Sequence, residues 1–364
     1  MGKYKVCAYA ICKNESKFVN RWMEHAKEAD LVVVTDTGSD DDTVEKLRQQ
    51  GALVYRYQTD PFRFDTSRNF CLEHIPTDVD ICVSSDLDDF IEPGWREKLE
   101  NVWQPDTTRG LYIYNWSFYK NGEPAVQYTH ERIHARHHFH WIYPTHEVLE
   151  YTGPGEEKRV FIEGLIYNHY PDPSKDRSLN LPLLELAVRE NPKDARNLHY
   201  LGREYMFEGK WSACIETLTR YLLPGVSSWN EERSASMRFI ARAYGGLGDT
   251  YEQKRWLWKA IAEAPFLREP YVEAALLAYE EEDWPAVYFY TNRAISITSK
   301  TYQYANDTRA WNERPHDLAA LACYHLGLAK EVVLHSIEAM RMAPDDQRLK
   351  NNHVFYEQAA VAKG

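Results

Sequence analysis

Three carboxylates fall within four positions in Ser84-Ser85-Asp86-Leu87-Asp88-Asp89-Phe90, directly after the apolar run Ile81-Cys82-Val83. Carboxylates at the end of a buried strand are costly unless a cation or a polar ligand needs them there. A D-x-D at such a strand end supplies oxygen ligands for a hard divalent metal that holds a diphosphate. Acidic turns after strands are common, so the context decides.

That context is three more strand-and-loop units. Val6 to Ile11 is an apolar run ending in Cys12-Lys13-Asn14-Glu15, followed by an amphipathic segment from Phe18 to Ala29. Leu31 to Val34 ends in Thr35-Asp36-Thr37-Gly38-Ser39-Asp40, and Thr43 to Gln50 reads as a helix stopped by Gly51. Ala52 to Tyr55 is a third strand, and Asp65 to Phe70 reads as a capped helix start. Near-continuous apolar strands alternating with helices predict a parallel sheet covered on both faces, with a ligand crevice at the strand C-termini. Further on, Leu111 to Tyr119, the Asn121-Gly122 turn and Ala125 to Tyr128 predict a hairpin of the primed-turn type. Arg132-Ile133-His134 reads as another short strand. The block His134, His137, His138, His140 lacks both the spacing and the cysteines of a zinc site.

Past about Lys175 the pattern becomes helical. Turn positions at Gly209, Gly248, Asp283 and Gly327, each between helix-period runs rich in Leu, Ala and Tyr, read as four helix-turn-helix repeats of the tetratricopeptide kind. An insertion, Thr301 to Arg314, separates the third from the fourth. Repeats of this sort bury their apolar faces only by stacking, and a homodimer through this half is one way to cover a terminal face. Trp211, Trp284 and Trp311 read as repeat-core residues.

The motifs "ICKNE", "VVVTDTGSDDDT", "DTSRNFCLE" and "SSDLDDF", in this order and spacing, resemble the family 2 glycosyltransferases of GT-A fold, and in particular bacterial members that carry tetratricopeptide repeats behind the catalytic domain. The resemblance implies an α/β GT-A (nucleotide-diphospho-sugar transferase, Rossmann-like) catalytic domain over residues 1–175. An all-α repeat domain follows over 176–364. It implies a metal-dependent, inverting transfer from a UDP-sugar, with Mn²⁺ or Mg²⁺ as cofactor. On the donor side Ala8, Ile11 and Asn14 would line the nucleoside pocket and Asp36 would accept a hydrogen bond from uracil. Arg68 would contact phosphate or hold the metal carboxylates, and Asp86 would face the ribose or the metal. Asp88 and His169 would ligate the metal directly. Glu147 would be the catalytic base, with Asp89 or His146 as alternatives, and His146 is also an alternative to His169 as ligand.

Composition fits an ordinary soluble enzyme. At 364 residues the chain has room for two cores, and 44% hydrophobic residues with 11 Trp, 25 Tyr and 13 Phe exclude wholesale disorder. A formal net charge of −12 argues against general nucleic-acid binding, which needs clustered Lys and Arg. No run approaches a membrane span, no signal peptide is evident, and Met1-Gly2 lacks the myristoylation pattern because Val6 stands where Ser or Thr belongs. The six cysteines form no C-x-x-C pair, which predicts core thiols in a reduced, cytoplasmic protein. Two other readings remain at this stage. A nucleotidyltransferase would share the metal and the nucleotide crevice, but Cys12 to Glu15 offers no Gly-rich phosphate loop. A repeat-based scaffold with an inert front domain would have no need of the intact acidic motif. The sugar and the acceptor (peptide, glycan or other) are not encoded in any motif.

Overall fold

The computed structural model describes residues 2–119, 121–173, 178–301 and 303–363. The chain divides into two compact units, residues 1–187 with 302–304 and residues 188–301 with 305–364. The expected boundary at 175/176 lies outside the described residues.

The first unit runs β1 (Val6–Cys12), α1 (Val19–Ala26), β2 (Leu31–Asp36), α2 (Thr43–Gln49), β3 (Leu53–Arg56), α3 (Phe64–Glu73), β4 (Ile81–Ser84), β5 (Asp89–Ile91), α4 (Trp95–Val102), β6 (Arg109–Phe118), β7 (Pro124–Ala135), β8 (Phe139–Ile142), β9 (Val148–Tyr151) and β10 (Arg159–His169). One eight-stranded sheet has the order β3-β2-β1-β4-β7-β6-β10-β5, and β8 and β9 form a small second sheet. Every residue of β1 is buried, which is why its apolar run is unbroken. Its side chains alternate between two cores. Ala8, Ala10 and Cys12 pack with Val19, Trp22 and Met23 of α1 and Leu47 of α2. Cys7 and Tyr9 pack with Cys71 and Leu72 of α3, and with Trp141.

Three expectations change here. The sheet is mixed rather than parallel: β3, β2, β1 and β4 run parallel, but β7 pairs antiparallel with both β4 and β6. The cause is the β6–β7 hairpin, which a short connection forces to be antiparallel. Arg132 to His134 is the far end of β7 rather than a separate strand. The hairpin turn is not the primed two-residue type, because Tyr119 N–H bonds Glu123 O and Gly122 N–H bonds Tyr119 O, with Gly122 left-handed (φ 85°). This is the longer loop in which one glycine takes the left-handed position.

The division falls within α5 (Asn180–Glu190). The second unit then pairs α6 (Ala195–Phe207) with α7 (Trp211–Tyr221), α8 (Asn230–Gly246) with α9 (Thr250–Glu263), α10 (Glu269–Glu280) with α11 (Trp284–Ser296) and α12 (Arg314–Leu326) with α13 (Ala329–Met342), closing on α14 (Gln347–Lys363). These are the four expected repeats. In the third, Glu282 takes the left-handed turn position (φ 56°) and Asp283 instead caps α11 by accepting from Ala286 N–H. Gly202 lets α6 meet α7 closely, since a Cβ there would sit 2.4 Å from Leu218 Cδ2. Trp211, Trp284 and Trp311 pack against the repeat cores. All six cysteines are free and buried.

Candidate active site

The acidic loop is built by its neighbours. Trp22 Nε1 donates to Ser85 Oγ at 2.9 Å, fixing the exit from β4. Asp89 is fully buried, and its carboxylate accepts from Asp86 N–H (3.0 Å) and from Tyr114 OH (2.7 Å). It therefore braces the turn. Burial, then the charges of Asp86 and Asp88, push its pKa up to about 7. The carbonyl of Asp88 is held by Arg21 Nη2 at 3.1 Å and by Tyr170 N–H at 3.0 Å, which aims the Asp88 side chain from the strand end.

Arg68 joins the front of the chain to its late carboxylate. From buried α3, its Nη2 donates to Asp86 Oδ1 at 2.5 Å and its Nε to Glu147 Oε1 at 2.7 Å. Arg132, on β7, completes a second bridge, with Nη1 2.7 Å from Asp86 Oδ2 and Nη2 3.7 Å from Glu147 Oε1. Two guanidiniums thus stand against two carboxylates. Desolvation would raise the Asp86 pKa, but Arg68 and then Arg132 override it and hold this carboxyl well below the usual range. Its side chain keeps 34% exposure, so the cluster is open to solvent at Asp86.

The floor of the cluster is Trp141, whose ring lies 4.9 Å from the Arg68 guanidinium and 5.8 Å from that of Arg132. Asn69, next to Arg68, clamps the Trp141 backbone in both directions, its Nδ2 to Trp141 O at 2.8 Å and Trp141 N–H to its Oδ1 at 2.7 Å. The indole N–H donates to Tyr9 OH, which pairs in turn with His134 Nε2 at 2.8 Å. Burial pushes His134 down to about 3, so it works as a neutral link. The segment that delivers Glu147 carries left-handed backbone at Tyr143 (φ 78°) and His146 (φ 50°), and Pro144 O accepts the N–H of Phe64 at the start of α3. Such strain persists only where its surroundings over-determine it.

His169 Nδ1 lies 3.2 Å from Trp116 O and Nε2 lies 3.6 Å from Asp88 Oδ2. Burial disfavours the imidazolium, yet Asp88 and Asp89 outweigh it and raise the pKa. In the neutral ring the carbonyl holds the proton on Nδ1, and the Nε2 lone pair faces Asp88. That is the orientation by which a second partner prepares a histidine for a cation. The pair offers one nitrogen and one carboxylate, a donor set suited to Mn²⁺ or Mg²⁺. Among the described residues no group of three or more His, Cys, Asp or Glu is gathered for an ion. Asp86, expected beside them, is held by the arginines.

Of the residues expected to line a nucleoside pocket, Asp36 and Asn14 come together at the ends of β2 and β1. Buried Asp36 accepts from Ser39 N–H through Oδ1 (2.9 Å) and from Arg56 Nε through Oδ2 (3.1 Å). Oδ1 also faces the Cys12 thiol at 4.0 Å, which leaves the spare lone pair on Oδ2. Asn14 (φ 55°) reaches the same turn, its N–H to Ser39 Oγ and its Oδ1 from Asp40 N–H. Ile11 is in β1 opposite Thr35, while Ala8 lies mid-strand within the core. The four histidines after Ile133 are dispersed: His137 Nε2 meets Thr77 O and His140 meets Glu150.

Arg132, Trp141 and Asn69 are the members that motif reading missed. Strand alternation carried the one available signal, because Arg132 shares a face with buried His134.

The acidic loop, Arg68, Arg132, Trp141 and Glu147 all lie within a stretch that matches a known family. Residues 8–153 match the model of glycosyl transferase family 2. These residues are accordingly a family 2 glycosyltransferase domain of GT-A type within the first unit, and paired helices of the tetratricopeptide kind follow in the second. No curated protein matches the chain. Among solved structures it is similar to MamA (18% identity, TM-score 0.38, covering 48% of this chain and 96% of that one). It is also similar to pilF of Pseudomonas aeruginosa (13%, 0.38, 47% and 70%). A thermophilic TPR protein of Thermus thermophilus is a third (17%, 0.34, 50% and 89%). No helix among the described residues is long and apolar enough to cross a membrane.

Proposed function

We propose that this chain is an inverting, metal-dependent glycosyltransferase that takes its sugar from a UDP-sugar. The observation that carries the reading is the junction at Arg68, which holds Asp86 of the acidic motif and Glu147 on one guanidinium. Diphosphate-side and acceptor-side carboxylates are thereby fixed relative to each other before any ligand arrives.

Glu147 is the base in this reading. Oε1 is tied to Arg68, and Oε2 is the oxygen we assign to the acceptor proton. As that proton moves to Glu147, the acceptor lone pair bonds to the anomeric carbon. The bond from that carbon to the diphosphate oxygen breaks, and the electron pair leaves on UDP. Asp88 and His169 would hold the divalent cation, with Asp86 joining only by releasing a guanidinium; when bound, the cation neutralises charge on the departing diphosphate. Asp36 and Asn14 orient the nucleoside, and Ile11 and Ala8 shape the strand beneath it. Asp89 stays in its bracing role. The repeats hold the acceptor or a second copy of the chain.

A thermal-shift titration with UDP tests the reading. UDP should stabilise the protein with Mn²⁺ present and much less with EDTA. Equal stabilisation under both conditions would remove the metal from the donor site.

A further inference from the structure

Asp88 and His169 are anchored separately. His169 is fixed from β6, with Nδ1 3.2 Å from Trp116 O and its ring packed on the Trp116 indole at 4.4 Å. Asp88 is fixed through its own carbonyl, which accepts from Tyr170 N–H at 3.0 Å and from Arg21 Nη2 at 3.1 Å. The two side chains face each other at 3.6 Å, outside hydrogen-bond range. An imidazole and a carboxylate attract, so the backbone that carries them keeps the gap open.

Arg21 is the unexpected member of this arrangement. It lies in the first turn of α1, where the helix dipole disfavours a cation, and among the described residues it has no carboxylate partner. Its guanidinium carbon lies over the rings of Phe18 (5.2 Å) and Tyr170 (4.9 Å), and the Tyr170 ring stacks in turn on Phe118 at 5.4 Å and 8°. Its Nε is buried without a hydrogen-bond partner among the described residues. An unpaired buried N–H costs stability, and a fixed positive charge near Asp88 and His169 opposes the entry of a cation. What Arg21 supplies in return is a tie between α1, the Asp88 carbonyl and the residue that follows His169.

We infer that Arg21 is a positioning residue for the divalent cation: through the Asp88 carbonyl and the Tyr170 ring it sets the gap between Asp88 and His169, and with it the affinity for Mn²⁺. This rests on the metal-dependent reading above. Other roles for Arg21 predict different signs. If its charge alone mattered, removing it would tighten Mn²⁺ binding. If it only held the fold together, melts would shift and Mn²⁺ affinity would stay. A residue that orients ligands from behind lowers affinity when lost, typically by about 10–100-fold.

The test titrates the full chain with Mn²⁺, with and without UDP and against protein-free blanks, and reads the free ion by electron paramagnetic resonance. Urea melts are run on the same preparations. Arg21→Met should weaken Mn²⁺ binding at least about tenfold, and Arg21→Lys, which keeps a donor for the carbonyl, should recover part of it. Tyr170→Leu keeps the backbone N–H to Asp88 and removes only the ring, so it should weaken Mn²⁺ binding less than Arg21→Met does. Tyr170 is 41% exposed, so this variant tests the tie even where Arg21→Met fails to fold. Tighter or unchanged Mn²⁺ binding in Arg21→Met, or unchanged binding in Tyr170→Leu, overturns the positioning role and leaves the metal reading standing. Wild-type protein that binds no Mn²⁺, or that binds it equally well after Asp88→Ala, overturns both.

Discussion

Each unit buries a cluster of arginines and carboxylates, and the two clusters are built differently. In the helical unit Glu273 accepts from Arg238 Nε and from Arg242 Nη2, both at 2.7 Å, and Asp307 adds contacts to Arg242 and Arg309. Regular helices and one short insertion supply every member. In the first unit Asp86 and Glu147 share Arg68 and Arg132 over an indole, and Asp86 keeps partial exposure to solvent. The backbone differs in the same sense. Of the described non-glycine residues with left-handed backbone, Asn14, His138, Tyr143 and His146 are in the first unit, and Glu282 alone is in the second. The cluster on regular helices has the features of a structural tie. The one beside strained loops has the features of a site.

The comparison breaks most visibly at Asp88. Asp88→Ala removes the carboxylate paired with His169 and leaves the arginine cluster intact. Turnover should fall by about three orders of magnitude or more, a loss typical of a removed electrostatic stabiliser, with the fold retained. Circular dichroism and a transfer assay on one preparation check both halves. Substantial turnover would move the metal reading elsewhere.

Arg68→Met comes next. It leaves two acidic side chains short of a buried partner, and breaking a buried pair costs about 3–5 kcal/mol. Denaturant melts should show that loss together with a loss of UDP affinity. Arg238→Met in the helical unit should cost about 3 kcal/mol or less, because Glu273 keeps Arg242. UDP affinity should be unchanged there. A matching affinity loss in Arg238→Met would erase the distinction between tie and site.

A smaller effect is pH-dependent. His25 and His134 are both pushed down to about 3 by burial. Their folded-state values lie below the ordinary 6.5, so the unfolded chain takes up protons first as pH falls. The stability they contribute is intact above about pH 6.5 and is lost progressively toward pH 3, by about 1.4 kcal/mol per pH unit for each residue. His134→Gln keeps an acceptor for Tyr9 OH and should remove about half of that slope in melts between pH 6 and 4. An unchanged slope would mean that His134 is not neutral in the folded protein.

Much of this was readable in the sequence, for reasons that differ by residue. The strands of the parallel half announce themselves because burial on both faces forces unbroken apolar runs such as Val6 to Ile11. The acidic loop stands out because charge after such a run needs a reason. The repeats show through their turn residues, and Asp283 misled only by one position, since a capping aspartate and a left-handed neighbour look alike in sequence. Arg132 was hidden, because a strand's period of two says which face a residue takes and not what waits there. Tyr143 and His146 were hidden too, because left-handed backbone without glycine has no composition signal. The mixed sheet followed from a hairpin whose long second strand, β7, runs on through Arg132 to Ala135, beyond its apparent end.

Glu147 is the residue whose replacement separates catalysis from donor binding most directly. Glu147→Gln keeps the shape and the contact with Arg68 but removes basicity, so the measurement is kcat for transfer beside UDP-sugar affinity on the same variant. We expect kcat to fall about 10²–10⁴-fold with donor affinity within about threefold of wild type. Near-wild-type kcat would contradict the assignment of the base and, with it, the reading of the arginine junction as the centre of catalysis.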